Sequence, residues 1–200
     1  MKILIFDTET TGLVLKDEPN LDKQPRICQF ARIIELSADT WKKEKEINYL
    51  IDPGIEIPPQ TSQIHIWTID VKGKPKFKDL YKEIIDSINS VDYIVAHNIR
   101  FDESLLSLEI QRLKKEIIID YMPKGKICTM IAGTPICKLP KKNFSQYKAP
   151  KLMEIFHFYY KYFKAHDAMV DVKACLVLQK MVEKKHINLE RIENNQINLC

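Results

Sequence analysis

Five residues in three separated stretches are of types that bind divalent cations and move protons: Asp7 and Glu9 in DTETTG at 7–12, Asp102 closing HNIRFD at 97–102, and His166 and Asp171 bounding HDAMVD at 166–171. Four carboxylates and an imidazole, drawn from the start, middle and end of the chain, are what a site holding two cations for phosphodiester cleavage needs. Asp7 and Glu9 alternate with Thr8, so on a strand they project to the same side, about 6.6 Å apart at about 3.3 Å per residue. Acids at that spacing can share cations that sit roughly 3.5 to 4 Å from one another. Taken alone, Asp-x-Glu is also what a strand ending in a polar turn looks like.

The other two stretches carry more weight, because each sets a carboxylate where packing favours an apolar side chain. Asp102 lines up with Leu105 and Leu106, and Asp171 with Ala174, Cys175, Leu178 and Val182, at helical spacing. An acid on a buried stripe must be paired, neutralised or metal-bound. Asp102 has a second explanation as a charge near a helix N-terminus; Asp171 is expected a turn further into its helix. His166 and Asp171 are five residues apart, roughly 140° around a helix, so His166 is expected in the loop before it. Asp167 reads better as a helix cap than as a ligand.

The elements that must position these residues follow from periodicity. Residues 2–6 form an apolar run entering the acids, and 26–36 and 46–51 read as two further strands ending at Asp52-Pro53-Gly54, a turn signal. A three-stranded antiparallel start is expected. Phe77, Leu80, Tyr81, Ile84 and Ile88 fall at helical spacing, with a short strand at 93–96 behind them. A helix is expected over 102–115, a strand over 126–131, a loop over 133–149, a helix opened by Pro150, and a last long helix over 168–185. This interleaving predicts a mixed α/β sheet with helices packed on it.

The chain has 200 residues, 45% of them hydrophobic and 29% charged, which fits one globular domain over 1–185 with 186–200 as a short extension of it. No apolar run approaches membrane-span length, and the run at 3–6 is too short for a signal-peptide core. With five cysteines and no close pair among them, a reducing, intracellular setting is expected, cytoplasmic or nuclear, and no membrane partner. The net charge is +4 and most cations are lysines, suited to phosphate contact without base reading, or simply to a solvated surface.

Together the three stretches resemble the DEDDh branch of the DEDD 3′–5′ exonuclease superfamily, the DnaQ-like enzymes that include polymerase proofreading subunits. PRICQFA at 25–31 is similar to that family's second strand, and KLMEIF at 151–156 to the helix before its third motif, so the resemblance covers roughly residues 1–185. It implies an α/β, ribonuclease-H-like mixed sheet, antiparallel in its first three strands and flanked by helices. It also implies that Asp7, Glu9, Asp102 and Asp171 bind two Mg²⁺ or Mn²⁺ ions and that His166 is the general base. Thr10, Thr11, Gly12, Leu13, His65, Asn98 and Phe101 would contact or support the terminal nucleotide, although Ile66 stands where the family usually has glycine after His65. The partner implied is nucleic acid with a free 3′ end, single-stranded DNA first and RNA second, with a polymerase as a possible associate. Phe144 and Tyr147 among Lys138, Lys141, Lys142 and Lys148 could steer a single strand. Two other readings stand beside this one: an aspartate-nucleophile phosphatase, which usually has a second Asp where Glu9 is, and a non-catalytic nucleic-acid-binding member of the fold.

Overall fold

The computed structural model describes residues 2–36, 42–62, 68–113, 121, 123–141, 146–159 and 168–184. Its centre is a five-stranded sheet of β1 (Lys2–Thr10), β2 (Ile27–Leu36), β3 (Lys42–Leu50), β4 (Tyr93–Ala96) and β5 (Gly125–Cys128). The strand order is β3-β2-β1-β4-β5. β2 runs antiparallel to both β1 and β3, whereas β4 and β5 continue the sheet in parallel from β1. The antiparallel start and mixed sheet are thus as the sequence predicts.

Helices cover both faces: α1 (Pro59–Ser62), α2 (Thr68–Val71), α3 (Phe77–Asn89), α4 (Ile99–Leu113), α5 (Thr129–Cys137), α6 (Leu152–Tyr159) and α7 (Ala168–Lys184). Strand alternation sorts the core. Leu4, Phe6, Phe30 and Ile34 pack with Ile84 and Ile88 of α3 and Leu105 and Leu106 of α4. From the other side of the same strands, Ile3, Ile5, Ala31 and Ile33 meet Ala168, Val172 and Cys175, one stripe of α7 at i, i+4 and i+7. Asp7 and Glu9 continue the row begun by Ile3 and Ile5, so they emerge on the α7 face.

Three expected elements are corrected. The strand expected over 126–131 ends at Cys128, and residues 129–137, half of them expected to be loop, form α5 despite Gly133 and Pro135. Tertiary packing outweighs propensity there: Gly133 lies against Ile155 of α6 so closely that an added Cβ would stand 2.6 Å from Ile155 Cδ1. Pro150 does not open a helix. α6 starts at Leu152, with Lys151 N–H donating to Glu154 at 2.8 Å, while the Pro150 carbonyl faces His97. Finally, α4 begins at Ile99, three residues before Asp102.

Gly133→Ala should destabilise the fold by about 1–3 kcal/mol through overpacking. Ile155→Val removes the clashing Cδ1, so the double variant should regain much of the loss. Denaturant unfolding of the four proteins in this cycle checks it, and additive losses would show that the contact does not set the cost.

Candidate active site

β1 outruns its neighbour. The ladder between β1 and β4 ends at Ile5 opposite Val95, but β1 continues to Thr10, leaving its last turns beside a crevice at the carboxyl end of the parallel strands. On the other flank β2 stays paired, with Asp7 opposite Ala31 and Glu9 opposite Gln29. Gln29 uses both ends of its amide: Nε2 donates to Asn48 at 2.8 Å, and Oε1 accepts the Ala168 N–H that opens α7 at 3.3 Å. That bond fixes the start of α7 over the acids of β1, with Asp171 in the helix's first turn. Asp171 is therefore not a turn deeper, as the sequence suggested, so the favourable field at a helix N-terminus acts on it as well.

The result is a cluster in which Asp7, Glu9 and Asp171 each offer a carboxylate oxygen, all within 4.8 Å of one another. Asp102 stands beside this trio. It is buried, and its Oδ1 accepts both the Thr8 N–H, at 3.0 Å, and the Thr8 hydroxyl, at 2.7 Å. The Thr8 N–H is available because β4 has already ended. Burial pushes the Asp102 carboxyl up to about 7, and the charge of Glu9 adds to the rise, against the two Thr8 donors.

Carboxylates this close in a poorly solvated cleft repel one another unless a cation is shared. An all-carboxylate donor set suits hard, oxygen-seeking divalent ions. Cysteine chemistry does not compete here. Burial holds the Cys175 thiol well above its ordinary range, and the charge of Asp7 adds to this, so it stays protonated, 3.8 Å from the Thr129 hydroxyl.

The strand leaves the cluster through a tight turn. Thr10 Oγ1 donates to the Gly12 carbonyl at 2.6 Å and lies 3.1 Å from the Gly12 N–H, while Thr11 exchanges bonds with Arg26: Thr11 N–H to the Arg26 carbonyl, Arg26 N–H to Thr11 Oγ1. Leu13 follows, 76% exposed, an apolar side chain left in the open next to the acids. Asn98 takes a left-handed conformation (φ 62°) just before α4, and Phe101 packs partly buried against the core. His65 and His166 lie outside the described residues.

Three contributors were not singled out from sequence. Thr8 and Gln29 act through neighbours distant in the chain, and the third is His97. Its half-buried ring lies between Thr129 Oγ1, at 3.1 Å from Nδ1, and the Pro150 carbonyl, at 3.2 Å from Nε2, tying the second motif to α5 and the entry of α6. Burial holds His97 down at about 4, so it is neutral in the fold. An unfolded histidine titrates near 6.5, so between about 6.5 and 4 the unfolded chain binds the extra proton and acid favours unfolding. Stability from this group should be complete above pH 6.5 and fall by about 3 kcal/mol as pH drops to 4. His97→Gln should flatten that part of the stability-against-pH curve; an unchanged slope would contradict the assignment.

A ribonuclease-H-like sheet bearing these acids at the exit of its central strand is the architecture of a DnaQ-like 3′–5′ exonuclease domain. The sequence profile of the RNase_T exonuclease family matches residues 4–178, and the chain belongs to that family. Over 115 residues it is 34% identical to DNA polymerase III subunit epsilon of Treponema pallidum (strain Nichols), a match covering 56% of this chain and 47% of that protein. The chain thus spans about half the length of that relative. In fold it is similar to the nuclease domain of 3′hExo, a DEDDh family member, bound to rAMP (TM-score 0.66, 16% identity, 92% of each chain). It is also similar in fold to Exonuclease X in complex with 5′ overhanging duplex DNA (TM-score 0.57, 20% identity, 92% of each chain).

Proposed function

We propose that the protein removes nucleoside 5′-monophosphates one at a time from the 3′ end of DNA, with RNA as a second substrate class. The observation that carries this reading is the convergence of Asp7, Glu9 and Asp171 within 4.8 Å, with Asp102 held beside them by Thr8. In this reading the four carboxylates hold two divalent ions, Mg²⁺ or Mn²⁺. When bound, such ions activate the attacking water and neutralise charge on the phosphodiester.

The chain's own residues do the rest. His166, set in the sequence two residues before α7, takes the proton of the attacking water as general base. The backbone at 10–13 and the exposed Leu13 receive the terminal nucleotide, with His65, Asn98 and Phe101 supporting that pocket. Residues 1–185 act as one exonuclease domain, with 186–200 as its extension. DNA is placed first because the relative of highest stated identity is a DNA polymerase subunit by name; the same name supports a polymerase partner. Four buried cysteines, Cys28, Cys128, Cys137 and Cys175, form no disulfide among the described residues, which supports a reducing setting. No helix among the described residues is long and apolar enough to cross a membrane.

The test is digestion of 5′-labelled DNA and RNA strands of matched sequence, single and paired, with Mg²⁺ or with EDTA. A ladder shortening from the 3′ end, seen only with the metal, is expected. Release of inorganic phosphate alone would favour the phosphatase reading, and binding without cleavage the non-catalytic one.

A further inference from the structure

We infer that Gln29, a β2 residue outside the carboxylate cluster, is a positioning residue for cleavage: its side-chain amide sets where α7 begins, and through that the place of Asp171 among the acids. Its effect on turnover rests on the exonuclease reading; its effect on cation binding needs only the cluster.

Gln29 is 2% exposed and stands opposite Glu9 in the β1–β2 ladder. Residues directly opposite on antiparallel strands project to the same face, with Cβ atoms about 4.5–5.5 Å apart, so the amide lies on the α7 face beside Glu9. The rest of its row, Ala31 and Ile33, is apolar core against α7. A hydrocarbon at position 29 would continue that core, and a carboxylate would set a further negative charge next to Glu9. An amide offers an acceptor without the charge.

That acceptor serves the helix. Ala168 is the first residue of α7, so its N–H has no acceptor within it. Such groups are commonly satisfied by the residue just ahead of the helix; Gln29 Oε1 accepts this one, at 3.3 Å, from 139 positions away. At the other end of the amide, Asn48 Oδ1 accepts from Nε2 at 2.8 Å, which holds the group in one rotation. A brace thus runs from β3 through β2 to α7.

The other ties of α7 do not do the same work. The packing of Ala168, Val172 and Cys175 on the sheet is apolar and non-directional. Lys173 pairs with Glu46 at 3.1 Å, but both side chains are partly exposed and the pair is screened. A slip of α7 by one residue is about 1.5 Å along its axis and about 100° around it. That would carry the Asp171 carboxylate away from those of Asp7 and Glu9, which now lie within 4.8 Å of it.

Three variants test this, each followed by steady-state cleavage of a 5′-labelled single strand with Mg²⁺ and by calorimetric titration with Mn²⁺, at a temperature well below melting. Gln29→Met removes the amide at similar volume and should lower kcat about tenfold or more with KM little changed, and weaken Mn²⁺ binding by a similar factor, the scale for groups that orient metal ligands. Asn48→Ala, at an exposed position, should lose part of both quantities, whereas Asn48→Asp keeps the Oδ1 acceptor and should match the unaltered chain. If Gln29→Met does not fold, the Asn48 pair decides: loss in Asn48→Ala alone supports the brace, and identical behaviour of the two overturns it. It is also overturned if Gln29→Met melts earlier yet keeps its kcat and Mn²⁺ affinity while folded. Should the unaltered chain fail to shorten the strand, the exonuclease reading falls and the Mn²⁺ titrations still decide on Gln29; an unaltered chain that binds no Mn²⁺ overturns both.

Discussion

Asp7→Ala and Asp171→Ala should each lower the cleavage rate by on the order of 10³-fold, the scale seen when preorganised electrostatic stabilisation is removed from a reacting phosphate or carbonyl. The two residues come from opposite ends of the chain, yet their carboxylate oxygens and that of Glu9 share one small volume. Removing either leaves fewer oxygens to hold a divalent ion, so metal affinity should fall together with turnover. His166→Ala should behave differently, slowing turnover while leaving metal affinity largely intact, because its proposed task is to accept a proton. Calorimetric titration with Mn²⁺ beside single-turnover kinetics separates these cases. Equal loss of metal affinity in all three variants would contradict the division between ligands and base.

Arg112→Ala should cost about 3–5 kcal/mol, the scale expected when one partner of a buried ion pair is removed and the other is left uncompensated. Glu109, whose carboxyl burial already raises, would lose its nearest cation, and three carbonyls of the 21–25 segment would lose their shared donor. For a chain of this size the melting temperature should drop by roughly 10 °C or more. Arg112→Lys keeps the charge but not the fork, and should recover only part of the loss. Thermal melts of the three proteins check this; a drop of only a degree or two would show that the clamp is not structural.

How far the sequence told this in advance depended on whether the signal was local. The alternation of Ile3, Ile5, Asp7 and Glu9 placed two acids on the face that α7 covers, because strand geometry needs no knowledge of the partner. The stripe from Phe77 to Ile88 and the run at 93–96 were legible for the same reason. The tie from Thr8 to Asp102 was not: it depends on β4 stopping at Ala96, a fact about a different strand. Gln29 looked like one polar residue in a hydrophobic strand until its register opposite Glu9 was fixed. Arg32 gave no warning either. It is fully buried beneath α3, where Glu83 faces it at 3.5 Å and also meets Lys45 and the Tyr49 hydroxyl. In α5, Gly133 and Pro135 read as breakers because the close approach of Ile155, which calls for a residue without a side chain, is twenty-two positions away.

The two margins of the sheet differ in a way that bears on how molecules meet at high concentration. β5, at one margin, is only four residues long, and β3, at the other, opens with Lys42, Lys43, Glu44, Lys45 and Glu46. A second chain docking its backbone along β3 to extend the ladder would have to strip water from the exposed Lys45, and along β5 it would find few bonds to make. Sheet-to-sheet polymerisation is discouraged at both borders.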